Sequence, residues 1–446
     1  MKKIIFLLIF TTTFLFSNLE ANAQCPPGPV IINFQQDVDD FASNYPNCTN
    51  IDGFLDISSG SPGLTNLDGL SNIETIQGYL TIANSTNLSS LSGLDSLQYI
   101  GGNLTVGTNG GLNNLNGLEN LSQIGGSLLI GRNNNLSNIS ALSQITTIPG
   151  IAIINENGQL TSLNGLSNLT TVSGGFNIEN CPLLTNLNGL QNLNNIGERL
   201  YIYDNETLEN LTGINNLNSV GELILAQNYS LTSLSGLESL TEIQGNLIIT
   251  GNYNLSNINS LASLTSVEGD LRVTNTKAPS LTGLDLVNSI NGELSISSNN
   301  QLTNIDGIRN IDPTTITYLY IQTNSMLSNC AVQSVCNYLS INPEDSNIVL
   351  NSSGCYTRQE VEAACELSTE ENPLSRVKIY PNPTNGSFTI SNVKVGTIKI
   401  LDSQGRIVRD YNMGDSFYSA KDLSEGIYFV QIESGNQTTV RQLIKN

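Results

Sequence analysis

From Leu64 to Asn87 the chain reads LTNLDGLSNIETIQGYLTIANSTN, and the same frame restarts at Leu88, Leu112, Leu136, Leu160, Leu184 and Leu208. Apolar residues fall at positions 1, 4, 7, 10, 13, 17 and 19 of each 24-residue unit. A fixed period of this length marks a solenoid, in which one supersecondary unit stacks on copies of itself. Within a unit, Gly78-Tyr79-Leu80-Thr81-Ile82 alternates apolar and polar residues, as a half-buried strand does. The glycine ahead of that strand (Gly78, Gly102, Gly126, Gly150, Gly174, Gly245) suits a corner with positive φ. The other half, apolar at every third residue, predicts short extended or 3₁₀ pieces. One unit buries too little apolar surface to offset the ordering of its own backbone, so neighbouring turns and caps must supply the rest.

The regular array runs from Leu64 to about Met326. A 23-residue turn begins at Leu208, and the turns starting at Leu255 and Leu281 are irregular. Position 22 is Asn109, Asn133, Asn157, Asn205 and Asn252, whose stacked amides can satisfy buried backbone groups at a corner. Cys181 holds that position in the turn from Leu160, which reads as a buried ladder member rather than a reactive thiol.

Outside the array the text changes. Residues 1–23 have a basic start at Lys2 and Lys3, an apolar run and the small-x-small site Ala21-Asn22-Ala23, the pattern of an export signal peptide. Residues 24–63 read as an N-terminal cap whose end, Ile51 to Ile57, imitates the strand half of a repeat. Residues 327–367 form a cysteine-bounded cap in which AVQSVCNYL and RQEVEAACE have helical spacing. From about Ser368 the leucine period stops. The array (64–326) holds 19 acidic and 5 basic residues, whereas 368–446 holds 8 and 9. That shift, with Asn372-Pro373, marks a linker and a separate domain. There, turn signals at Pro381-Asn382-Pro383, Asn385-Gly386, Gly405 and Gly426 separate alternating strands, which suggests a small antiparallel β-sandwich.

Composition narrows the function. The chain carries 17 basic and 38 acidic residues, so nucleic acid and anionic lipid are poor partners. With no histidine, a Ser-His-Asp triad, a Cys-His pair and a histidine zinc site are excluded, and neither metal nor cofactor is expected. Beyond the signal peptide, no apolar run is long enough for a transmembrane segment. Two of the seven cysteines precede the array and four follow it, as expected for disulfides sealing solenoid ends in an oxidising compartment. Cys25–Cys48 is the expected N-terminal clamp. The last four allow three connectivities, of which Cys330–Cys355 with Cys336–Cys365 is the first choice.

The pattern L-x-x-L-x-G-L-x-x-L-x-x-I-x-G-x-L-x-I-x-x-N resembles the receptor L-domain family, relatives of leucine-rich repeats, over about 260 residues. The resemblance implies a mainly β fold, a right-handed parallel β-solenoid, and ligand recognition without naming the ligand. The C-terminal residues Tyr380, Pro381, Asn382 and Pro383 with Gly386, then Asp402 and Gly405, then Gly426 and Tyr428, ending near Lys445, resemble the type A sorting domain of the type IX secretion system. That resemblance implies a Bacteroidota-type bacterium, the type IX machinery as a partner, and a secreted or outer-surface-attached protein.

Strand positions 16, 18 and 20 should face solvent. Position 18 brings Leu129, Ile153, Tyr201, Ile224 and Ile248 into a nearly continuous apolar line, flanked by Arg199 and Tyr203. Apolar patches with Tyr and Arg favour contact surfaces, so these seven residues are the candidate ligand-binding set for a protein or glycan. The expected function is a non-catalytic recognition or adhesion protein. The alternatives are a carbohydrate-active enzyme on a solenoid, which would use clustered carboxylates such as Glu179, Asp204, Glu206 and Glu209, and a passive surface-coat protein.

Overall fold

A computed structural model describes residues 24–58, 63–342, 344–368, 377–391, 396–412, 417–434 and 437–446. The expected signal peptide and the Asn372-Pro373 linker lie outside the described residues. The chain divides into two compact units between Thr357 and Arg358, before the helix Arg358–Ser368 rather than after it.

The first unit is a parallel solenoid. One face is built from four-residue strands such as Leu80–Ala83, Leu104–Gly107, Leu128–Gly131, Ala152–Asn155 and Phe176–Glu179, stacked in exact 24-residue register. A second row of two-residue strands, such as Thr75–Ile76, Tyr99–Ile100 and Thr171–Val172, lines another side of the coil. Two longer strands, Asn195–Tyr203 and Ser219–Ala226, run through the corner between the rows and join the short strands from Thr147–Ile148 onward to the first face in one 19-stranded sheet, while the earlier short strands from Asn50–Ile51 to Gln123–Ile124 form a separate four-stranded sheet. Short 3₁₀ helices such as Asp68–Leu70 and Asn164–Leu166 fill part of the remaining side. Leucine and isoleucine at the seven periodic positions are almost wholly buried.

The register resolves the irregular stretch. Ala278 is buried and takes position 1, so Leu281 is the fourth residue of its turn and not the first. The missing residue lies between Thr276 and Ala278. The next turn starts at Leu302 and is lengthened by the 3₁₀ turn Pro313–Thr315 before strand Tyr318–Gln322. The strand face also extends past both expected limits, with Val30–Ile32 and Leu55–Ser58 at one end and Ser346–Val349 at the other.

The glycine expectation needs correction. Gly78, Gly102, Gly126, Gly150, Gly174 and Gly245 do not have positive φ. They are required because adjacent turns touch there: the Gly78 N–H donates to the Gly53 carbonyl at 2.8 Å, and a Cβ on Gly78 would lie 2.8 Å from that oxygen. Left-handed backbone occurs elsewhere, at position 6 (Gly93, Gly117, Gly189, Gly213, Gly236, Gly283) and at position 21, where non-glycine residues from Asn84 to Thr323 adopt φ of 51–59°.

Position 22 forms a buried asparagine ladder, interrupted where Cys181 and Thr276 take the place of asparagine. The N–H of Ser85, Asn109 and Asn133 each donates to the amide oxygen of the next turn's asparagine at 3.0–3.2 Å. Each asparagine Nδ2 in turn donates to a carbonyl of the preceding turn, as Asn109 does to Ile82 and Asn133 to Val106 at 2.9 and 3.0 Å. Through this pairing, backbone groups at the coil's corner are satisfied without water. The ladder runs on to Asn351 in the C-terminal cap. Cys181 occupies its place in it, fully buried and unbonded to another cysteine.

Disulfides join Cys25 to Cys48 and Cys330 to Cys355, and Cys336 and Cys365 are also disulfide-bonded. The N-terminal cap contains a helix, Gln35–Asn44, that packs on Asp68–Leu70. The C-terminal cap holds helix Gln333–Ile341.

The second unit contains two antiparallel sheets, one of three strands from Lys378–Tyr380, Ser387–Ser391 and Tyr418–Ser419, and one of four from Thr397–Leu401, Ile407–Asn412, Gly426–Ser434 and Gln437–Lys445. Phe388, Ile398, Ile400, Tyr418, Val430, Ile432 and Leu443 form its core.

Candidate functional site

The strand pairings place Thr105, Leu129, Ile153, Asn177, Tyr201, Ile224, Ile248 and Arg272 side by side, one per turn. Adjacent strands lie about 4.8 Å apart, so these side chains shield one another and are half-buried rather than open. The apolar line is split. Leu129 and Ile153 lie on one side of Asn177, and Tyr201, Ile224 and Ile248 on the other. Asn177 is only 8% exposed, and its Oδ1 has no hydrogen-bond partner.

A recess of about 460 Å³ opens over Asn177, lined also by Ile151, Gly175, Glu198, Arg199, Gly221 and Glu222. Its origin is local. Position 16 is Ile151 in one turn and Arg199 two turns on, with Gly175 between them, so no side chain fills the middle. On the far side, strand pairing shifts register between Ile196 and Arg199, and one residue is lost from the corner before Leu223. Arg199 therefore stands opposite Glu222 and next to Glu198 in sequence, yet makes no ion pair with either.

Alternate residues of one strand, Arg199, Tyr201 and Tyr203, form a row. The guanidinium carbon lies 5.3 Å from the Tyr201 ring centre, and the two tyrosine rings stack at 5.6 Å. A cation over an aromatic face is attracted by the ring quadrupole, so Tyr201 holds Arg199 beside the recess. Partial burial first, then the Glu179 carboxylate and Tyr203, raise the Tyr201 hydroxyl above its ordinary pKa, with Arg199 opposing.

The aromatic row continues beyond the candidates expected from sequence. The hydroxyls of Tyr203 and Tyr229 both donate to Gln227 Oε1, at 3.3 and 3.4 Å, and Tyr229 stacks on Tyr253 at 6.0 Å. Tyr229 and Tyr253 are 41% and 52% exposed. Both occupy position 23, where other turns carry small or polar residues, and this was the available signal. A second recess of about 530 Å³ lies on the same face, lined by Ile248, Arg272, Ser295, Tyr318 and Tyr320 among others. There Arg272 pairs with Asp270 and Glu293 while its Nε lacks a partner.

Glu179 and Asp204 are half-exposed and Glu206 and Glu209 exposed. Among the described residues, no three His, Cys, Asp or Glu side chains are placed to hold a metal. No helix among the described residues is long and apolar enough to cross a membrane.

In the second unit most of the expected sorting residues shape the fold. Asn382 clasps the final strand, donating to the Gln442 carbonyl at 2.7 Å and accepting from Ile444 N–H at 2.8 Å. Asp402 accepts from the backbone N–H groups of Gln404 and Arg406 around Gly405 (φ 78°), and these bonds hold its carboxyl below the ordinary range, with Arg406 N–H the largest contributor. Tyr428 is buried in the core with its hydroxyl on the Ser424 carbonyl, and Lys445 is 8% exposed. Gly386 lies in the bend before strand Ser387–Ser391, Gly426 opens strand Gly426–Ser434, and both Pro381 and Pro383 follow cis peptide bonds. Tyr380 is 70% exposed, and Pro381, Asn382 and Pro383 beside it are exposed as well.

Residues 47–113 match the family model of the receptor L domain, and residues 378–446 match that of the secretion system C-terminal sorting domain. The first match spans the end of the N-terminal cap and the first two turns, and the later turns continue it in the same strand register. The second places the protein on the type IX export route, secreted or attached at the outer surface of a Bacteroidota-type bacterium. No curated protein matches the chain.

Proposed function

We propose that this is a non-catalytic surface recognition protein that engages its ligand through the strand face of the solenoid. The observation that carries the reading is the row Arg199-Tyr201-Tyr203 flanked by Leu129, Ile153, Ile224 and Ile248 on one continuous face. Rigid aromatic rings, a guanidinium and half-buried aliphatics are the side chains enriched where surfaces bind. The sorting domain delivers that face to the outside of the cell, where partners are met. Catalysis finds no support in the same surface: the chain has no histidine, and burial pushes the Cys181 thiol, its only unbridged one, up to about 11.

The test is capture of surface components from neighbouring cells by the full chain and by a Tyr201→Asp/Ile248→Asp double variant. The expected outcome is saturable capture that falls tenfold or more in the folded variant. Equal capture by both would remove the face from the mechanism.

A further inference from the structure

We infer that the recess over Asn177 is the seat of a neutral saccharide unit. The inference rests on the recognition reading above and deepens it by naming the ligand chemistry.

Two groups in the recess are uncommitted. The Asn177 Oδ1 is an acceptor, buried and unpartnered. A buried polar group left without a hydrogen bond costs free energy, which a ligand supplying a donor recovers. Arg199 is a donor-only group with no ion pair, fixed by the Tyr201 ring. Glu198 and Glu222 add acceptors on the walls, the latter held by a hydrogen bond from Asn246 Nδ2 at 2.5 Å. A ligand must therefore donate to the floor and walls and accept from Arg199 within one small volume.

Charge then sorts the candidates. An anionic ligand would pair with Arg199 but face two carboxylates. An ammonium group would satisfy the acceptors but face the guanidinium. A hydroxyl both donates and accepts, so adjacent hydroxyls on a rigid ring meet all four groups without placing like charges together. The sheet presents its side-chain face here and not a free edge, so a peptide has no strand to extend. Gly175 makes the seat possible. A Cβ there would meet the Arg199 carbonyl oxygen at 3.3 Å, close enough that this strand must give by a few tenths of an ångström, and its other contacts are ordinary, so a larger residue enters the recess after a small local shift.

The test is ligand-observed NMR titration of the purified full chain. The probes are neutral gluco-, manno- and galacto-oligosaccharides, an oligouronate and a lysine-rich peptide. At least one neutral oligosaccharide is expected to bind saturably, and the uronate and peptide are not. Gly175→Val, and separately Asn177→Leu, should each weaken that binding tenfold or more while the thermal midpoint holds. Preference for the uronate or the peptide overturns the inference, as does neutral binding that survives both substitutions. Silence from every neutral sugar overturns it too. In that case, capture of a surface component that is lost in Tyr201→Asp leaves the recognition reading standing, and absence of any capture removes both.

Discussion

Cys181 shows what the ladder demands of one side chain. An asparagine there accepts from the preceding turn's N–H and donates to its carbonyl. The thiol stands 3.9 Å from the Ile154 carbonyl, a weak substitute for an amide N–H. Desolvation by burial raises its pKa from about 9 to about 11; the Glu179 carboxylate adds to this and Asn157 N–H opposes it. The folded state thus favours the neutral thiol. Its stabilising contribution is complete below pH about 9 and is lost as pH rises through about 11, by up to roughly 3 kcal/mol. Cys181→Asn should remove that alkaline loss and raise stability near neutral pH by about 1 kcal/mol. Denaturant titrations of both proteins at pH 7 and pH 10.5 check this, and an unchanged pH dependence would mean the thiol is not the titrating group.

At the scale of one turn, stability depends on contacts between backbones as much as on leucines. Gly117 has φ of 110°, and a Cβ there would lie 2.0 Å from the Leu91 carbonyl oxygen of the turn before. Gly117→Ala should therefore destabilise the array by about 2 kcal/mol or more, read as a lowered midpoint of thermal unfolding. Ala141 and Ser260 occupy the same position where the turn takes a 3₁₀ form, which shows that the element and not the position alone sets the requirement. The period, the buried faces and the asparagine ladder were legible in the sequence because each repeats, and repetition converts a weak local signal into a strong one. The corner glycines were misread because a residue forced by close approach looks the same in sequence as one forced by φ. The recess was invisible for the opposite reason: it arises from single departures at Gly175, Arg199 and Val220–Leu223, where the repeat's own regularity gives no guidance.

Across the whole molecule, the two units divide the labour of delivery and engagement. Removal of residues 378–446 should leave the solenoid's disulfides and ladder intact, since none of their described bonds involves that segment, yet abolish surface display. Immunoblots of periplasmic and surface fractions would read this directly; normal display of the shortened chain would contradict the sorting role. The asparagine ladder has a further consequence for how such a protein changes over time. Between Ser85 and Asn324 most turns present to the next the same bonds that they receive from the last, with Cys181 and Thr276 as the two exceptions, and the run closes on Asn351. Duplication or loss of one whole 24-residue unit that lies between two asparagine-bearing turns leaves no seam, so array length is open to genetic drift. The glycine that hollows out the recess occurs once, and recombination between turns would erase it unless selection on binding retained it.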